Sequence, residues 1–254
     1  MKLNIVPART GIQWVQLGMR TFMKQPLALA ALCFMFSTLA VVMLVVPLVG
    51  PFLAMAIFPM GTLGLMAATK VAEDSTFPMP TVLFTAFRAS RDRVRAMLML
   101  GALYAASLLL LLLAVIAVVD VPTQGKDAAQ VLQSGEFRFA LVLTALLYLP
   151  VSLAFWHAPA LVHWHGVTPG KSLFFSFVAC IRNARAFLVY GLVWIGIAAA
   201  VIVASNLAGL VSPLLAGMVF GATSTIATIG FYTSLYFTFR DSFIAEEDNP
   251  GDAQ

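Results

Sequence analysis

Charge is what this 254-residue chain has least of: Asp, Glu, Lys and Arg make up 10% of it, against roughly 25% in an ordinary soluble domain. Apolar residues make up 61%, so water is not the expected solvent. None of the charge falls within six apolar runs: Pro26–Pro47, Leu48–Thr69, Ala96–Val119, Phe139–Val162, Ala186–Ala208 and Pro213–Phe239. Each is long enough to cross ~30 Å of hydrocarbon at ~1.5 Å per helical residue. With no intramembrane acid, lysine or arginine, the residues that usually mark an ion or proton path are missing. Cysteine is also scarce. Cys33 lies in the first run and Cys180 between the fourth and fifth, a placement that offers neither a disulfide framework nor a metal-binding spacing. Both read as small apolar fillers. Six spans use about half the chain and leave no room for a soluble catalytic domain.

What charge there is has a pattern. Of fifteen Lys and Arg, four precede the first span, five lie between the second and third, three between the fourth and fifth, and one follows the sixth. Only Lys126 and Arg138 fall on the other side, in the 120–138 loop, where residues 128–133 are expected to make a helical turn. The positive-inside rule therefore places both termini in the cytoplasm. The first run is 22 residues with no small-residue cleavage site, so it reads as a retained span rather than a signal peptide. The formal charge of +4 sits beside apolar spans, which points to anionic lipid rather than nucleic acid as the counter-charge. The expected fold is all-α: a polytopic bundle of six transmembrane helices in one domain, residues 1–240. An acidic, disordered cytoplasmic tail is expected over 241–254.

The chain repeats itself. At a shift of 90 residues Leu83, Phe84, Phe87, Ala89, Arg95, Ala96, Leu98 and Gly101 fall on Leu173, Phe174, Phe177, Ala179, Arg185, Ala186, Leu188 and Gly191. Pro59 and Pro78 match Pro150 and Pro169 at a shift of 91. A fainter third copy places Lys24-Gln25 opposite Arg91-Asp92 and Arg182-Asn183. The unit is a cytoplasmic-face helix followed by a span out and a span back. Each surface helix is amphipathic. The first has Thr10 as N-cap, a polar stripe of Gln13, Gln16, Arg20 and Lys24, and an apolar stripe of Ile12, Val15, Met19 and Phe22. The second opens at Pro80, with Arg88, Arg91, Asp92 and Arg95 polar and Leu83, Phe84 and Phe87 apolar. The third starts at Thr168-Pro169 and buries Leu173, Phe174, Phe177 and Ile181. Two placements fit them: lying in the lipid interface, or packing on neighbours as extensions of the spans that follow.

Motifs that would carry chemistry are weak. Gly166 to Ser172 imitates a phosphate loop but is one residue short, has no preceding strand, and loses an amide at Pro169. It reads as a helix cap with Lys171 at the lipid surface. His157, His163 and His165 cluster at the end of the fourth span, but no acid or thiol lies near them in sequence. Trp156 and Trp164 mark the stretch as an aromatic interface belt, so interfacial anchoring is expected and no metal or other cofactor. Hydroxyls such as Ser37, Ser107 and Thr144, and the run Thr223, Ser224, Thr225, Thr228, Thr233, Ser234, read as helix-packing groups. Pro59 and Pro150, mid-span at matching repeat positions, are candidates for a transport path through freed carbonyls, or for kinks that shape packing.

The run Ala158-Pro159-Ala160-Leu161-Val162, then Gly166, Thr168-Pro169, Ser172, Phe177 and Arg182-Asn183 before a new span, resembles a family of uncharacterised proteobacterial six-span inner-membrane proteins. More loosely, it is similar to the membrane domain joined to some bacterial glycerophosphodiester phosphodiesterases. The resemblance implies fold and topology. The phosphodiesterase barrel and its acidic metal ligands are absent here, so that activity is not implied.

The expected function is that of a non-enzymatic inner-membrane scaffold or accessory. It would contact anionic headgroups through Lys24, Arg88, Arg91, Arg93, Arg95, Lys171, Arg182 and Arg185. A homo-oligomer is compatible with this reading. The alternative is a transporter or flippase-like carrier for an uncharged or amphipathic solute. An intramembrane enzyme has no acid, base or nucleophile constellation in its favour.

Overall fold

A computed structural model of the chain describes residues 2–119 and 128–244. It is built from helices α1 (Thr10–Lys24), α2 (Pro26–Leu44), α3 (Gly50–Glu73), a 3-10 helix (Pro80–Phe87), α4 (Arg91–Val118), α5 (Ala128–Gln133), α6 (Gly135–Trp156), α7 (Ala158–His165), α8 (Pro169–Arg182), α9 (Ala184–Gly209) and α10 (Pro213–Ser242). Two short strands, β1 (Lys2–Leu3) and β2 (Phe243–Ile244), complete it. Six segments are long and apolar enough to cross a membrane: α2, α3, α4, α6 with α7, α9 and α10. They coincide with the six apolar runs. A short helix precedes each pair of long ones: α1 before α2 and α3, the 3-10 helix before α4 and α6, and α8 before α9 and α10.

Local signals set several boundaries. Ser134 caps α6 by accepting from the Phe137 amide (3.2 Å), and Ser212 caps α10 by accepting from Leu215 (3.1 Å), with Pro213 opening that helix. Gly166 stops α7 with φ of 65°, a conformation glycine adopts without a Cβ penalty. Three expectations need correction. Thr10 is the first helical residue of α1 and Arg9 holds the cap position without a side-chain bond, because the turn at Pro7–Ala8 already supplies carbonyls to the first amides. Arg91, Asp92 and Arg95 belong to the first turns of span α4 rather than to the second surface helix, which ends as a 3-10 turn at Phe87 with Arg88 as its C-cap. The polar tail starts later than residue 241: Asp241 and Ser242 finish α10, and Phe243–Ile244 pair with Leu3 and Lys2. The 120–127 and 245–254 expectations lie outside the described residues.

The chain forms two compact units. One draws on residues up to 39, 60–89 and the chain from 178 onward; the other is made of 40–59 and 90–177. In the first, α1, α9 and α10 pack on one another. Glycine permits it. A Cβ at Gly11 would collide with the Ala186 carbonyl of α9, and one at Gly18 would stand 2.7 Å from Ser234 Cβ of α10. Trp14, fully buried, fills the space between with its ring 5.2 Å from Phe187 and 6.0 Å from Tyr190. Tyr190 and Ser234 share a 2.6 Å hydrogen bond between α9 and α10, and Thr233 donates to the Gly18 carbonyl at 3.1 Å. The opposite side of α9 exposes Leu188, Leu192 and Ile195 at 65–67%, a stripe that suits lipid and not water.

In the second unit α4 packs against α6 and α7. Tyr104 is its hub: its ring stacks on Phe58 at 5.5 Å, meets Phe155 edge-on at 5.0 Å, and its hydroxyl reaches Tyr148 at 3.3 Å. The fourth span is broken at His157 (φ −107°, ψ −10°). In an unbroken helix the His157 amide would bond the Leu153 carbonyl. Instead the Ser176 hydroxyl of α8 stands between them, accepting from His157 N at 2.9 Å and donating to Leu153 O at 2.8 Å. A hydroxyl inserted into the ladder is a recognised cause of a kink, and here it satisfies both groups that the break frees.

Two outcomes follow from this packing. Gly18→Leu is expected to lower folding stability in mild detergent by about 1–3 kcal/mol or more through overpacking. Gly217→Leu, where an added Cβ meets nothing within 4 Å, should leave the denaturation midpoint in place. Ser176→Ala strands a buried donor and acceptor and should cost about 2–3 kcal/mol, while Ser176→Thr, which keeps the hydroxyl, should cost clearly less in the same chemical-denaturation assay.

Candidate membrane-surface site

All eight basic residues singled out from the sequence are exposed: Lys24, Arg88, Arg91, Arg93, Arg95, Lys171, Arg182 and Arg185. They reach the surface from different settings. Lys24, at the end of α1, donates to the Glu73 carbonyl at 2.8 Å. Arg88 caps the 3-10 helix; Arg91, Arg93 and Arg95 crowd the start of α4; Lys171 and Arg182 flank α8; Arg185 opens α9.

Helix α8 is turned opposite to a water-facing amphipathic helix. Ser172, Ser176, Ala179, Cys180 and the adjoining Asn183 are all at most 2% exposed, positions that repeat at helical spacing along one face. The large apolar residues point out: Phe174 is 62% exposed, Ile181 51%, Phe175 37% and Phe177 36%. Of the residues expected to be buried on this helix, Phe174, Phe177 and Ile181 are instead exposed and Leu173 is half-buried, with Lys171 and Arg182 beside them. The 3-10 helix likewise leaves Phe84 and Phe87 exposed, while Leu83 lies against α3 where Gly64 leaves room for its backbone. Helix α1 is different. Of its expected apolar stripe Val15 and Phe22 are buried together with Trp14, Met19 is half-buried and Ile12 is exposed, and the helix packs on α9 and α10. Its expected polar stripe, Gln13, Gln16, Arg20 and Lys24, faces outward apart from that core.

Beneath these surfaces, sequence reasoning missed a polar clasp that ties the two chain ends together. Asn183, 1% exposed, accepts from the Val6 amide (2.9 Å) and donates to the Asn4 carbonyl (3.0 Å). Asn4 in turn donates to the Asp241 carbonyl at 2.8 Å, and β1 pairs antiparallel with β2. Asp241 accepts the Trp14 indole N–H (3.0 Å) and the Arg240 Nε–H (2.9 Å), and Arg240 pairs with Glu73 at 2.7 Å. The available signal was Asn183 immediately before a span together with Trp14 between the two stripes of α1; neither has a purpose until the termini are seen to meet.

The other sequence candidates separate. His157 is fully buried at the kink, so it is a core residue and not an interfacial anchor, whereas His163 and His165 are half-buried. Among the described residues no group of three His, Cys, Asp or Glu could hold a metal ion. The phosphate-loop imitation is a helix junction: Gly166 caps α7, Ser172 donates to Pro169 O at 2.7 Å, and Lys171 is exposed. Pro59 and Pro150 both sit inside continuous helices, Pro59 buried and Pro150 exposed. Burial pushes the Cys180 thiol up to about 12. Because the pKa is raised, the reactive thiolate is scarce at every pH below that value. In a Cys33→Ser background, N-ethylmaleimide at pH 8 should therefore leave Cys180 unlabelled in the folded protein and label it after denaturation. Rapid labelling of the folded form would contradict this packing.

Over 263 aligned residues the chain is 35% identical to a probable inner membrane protein of Burkholderia thailandensis, with 97% of this chain and 96% of that protein covered. No family model matches the chain. No solved structure matches it. The residues that carried the family resemblance are, in the main, the buried ones: Ala158, Pro159, Ala160, Leu161, Val162, Pro169, Ser172 and Asn183.

Proposed function

The chain belongs to the family of that inner membrane protein, and from this membership we propose that it is a non-enzymatic scaffold or accessory of the bacterial inner membrane. In this reading both termini are cytoplasmic, and basic residues beside outward-facing aromatic residues hold the anionic headgroups of the inner leaflet. One observation carries the proposal: the outward apolar face of α8 flanked by Lys171, Arg182 and Arg185. In water three exposed phenylalanines and an isoleucine on one short helix would be an aggregation hazard. At the acyl boundary the same face is favourable, and a neighbouring cation adds about 1 kcal/mol of attraction to an anionic leaflet. The clustered arginines at the start of α4 act in the same direction.

A second reading, a carrier for an uncharged or amphipathic solute, draws on the hydroxyl-rich middle of α10 and on the mid-span prolines Pro59 and Pro150. Saturable uptake or lipid scrambling by proteoliposomes would favour it over the scaffold.

Phosphatidylglycerol added to detergent-solubilised protein is expected to raise its thermal midpoint more than phosphatidylcholine does. Replacing Lys171, Arg182 and Arg185 by Gln should remove most of that difference, at about fivefold in apparent affinity per charge. Salt should weaken the effect, since exposed charges are screened beyond ~8 Å at physiological ionic strength. Equal responses to the two lipids would overturn the proposal. For orientation, a cysteine at exposed Leu210 should react with a membrane-impermeant maleimide in intact spheroplasts, and one at Arg91 only after permeabilisation.

A further inference from the structure

In hydrocarbon a hydroxyl has no water to bond, so membrane Ser and Thr residues generally donate to their own helix backbone. Many here do so: Thr69, Ser107, Ser152, Thr223, Ser224 and Thr238 each reach a carbonyl three or four residues back. Ser37 of α2 and Thr225 and Thr228 of α10 make no such bond among the described residues, as is also true of Thr38 and Thr144. What distinguishes Ser37, Thr225 and Thr228 is that they line one cavity. Together with Cys33, Phe34, Ser224 and Ile229 they bound about 190 Å³ of an open cleft in the first unit, with Ser37 and Thr228 exposed and Thr225 half-buried. The cavity lies midway along both helices, which fixes its depth near the centre of the bilayer.

We propose that this cleft binds the uncharged, carbonyl-bearing head of a lipid-soluble molecule, of the size of a single quinone ring. Four features select the ligand. The lining has no acid, lysine or arginine, so a charged head would be left uncompensated at that depth. Three hydroxyls with free donors call for an acceptor, and a carbonyl accepts without bringing a donor that needs its own partner. A cavity of about 150 Å³ is enough for benzene, so an open cleft of about 190 Å³ has room for one substituted six-membered ring. Phe34, 58% exposed, offers a flat apolar edge at the lipid side. An ester carbonyl of a diacylglycerol has the same bonding chemistry, and the test separates the two sources.

The full-length protein in phosphatidylcholine nanodiscs would be titrated with a benzoquinone carrying a ten-carbon tail and, separately, with a diacylglycerol, each against empty nanodiscs. Saturable binding of one molecule per chain is expected for at least one ligand, and competition between them assigns the source. Thr225→Val with Thr228→Val keeps volume and removes two donors; it should weaken binding about tenfold with an unchanged thermal midpoint. An azido-benzoquinone should crosslink to peptides of α2 and α10 in the unmutated protein, a readout that does not depend on how the variant folds. Partition equal to that of empty nanodiscs for both ligands, or unweakened binding by the double variant with crosslinks elsewhere, would overturn the proposal.

Discussion

A peptide group inside hydrocarbon has no solvent to bond, and the arrangement of this chain follows from that constraint. It makes every long apolar run a helix, and it makes each departure from a helix require a local substitute. The break at His157 is tolerated because Ser176 stands in for the missing main-chain bond, joining the amide on one side of the break to the Leu153 carbonyl on the other. Residues 2–6, outside the spans, are paired as well. Their main-chain groups are satisfied by Asn183 and by the pairing of β1 with β2, which lets the N-terminal residues lie against the end of α10.

The same solvent inverts the usual sorting of side chains. Lipid is as apolar as leucine, so helix association draws on close packing and hydrogen bonds more than on burial of large hydrophobic residues. Gly18, Ser234 and Thr233 form the contact between α1 and α10, and Gly11 lets α1 approach α9, while Leu188, Leu192 and Ile195 of α9 are left outside. Helix α8 is the sharpest case, with serine, alanine and cysteine inward and phenylalanine outward. Such a helix looks amphipathic in sequence, yet its apolar face is the one that leaves the protein. The proposed membrane-surface role draws on this arrangement, in which outward aromatic residues share one short helix with Lys171 and Arg182.

The residues behind the family resemblance fit the same account. Ala158 to Val162 form the buried α7, Gly166 occupies the left-handed cap, Ser172 closes the first turn of α8, and Asn183 joins the chain ends. These are architectural duties.

Hydropathy and charge alone determined the six spans, the exposure of the eight cations and the order of a short helix before each pair of long ones, because a residue's transfer cost into lipid belongs to that residue and needs no partner. Periodicity also located the stripes of α1 and α8. It could not say which stripe meets protein: α1 turns its apolar stripe inward and α8 turns its own outward, although both have the same kind of pattern. That choice, the core position of His157, and the meeting of Asn4, Asn183 and Asp241 were decided only by tertiary structure. Each depends on which atoms lie within about 3 Å across segments distant in sequence, and shape complementarity at that range leaves no periodic trace in the chain.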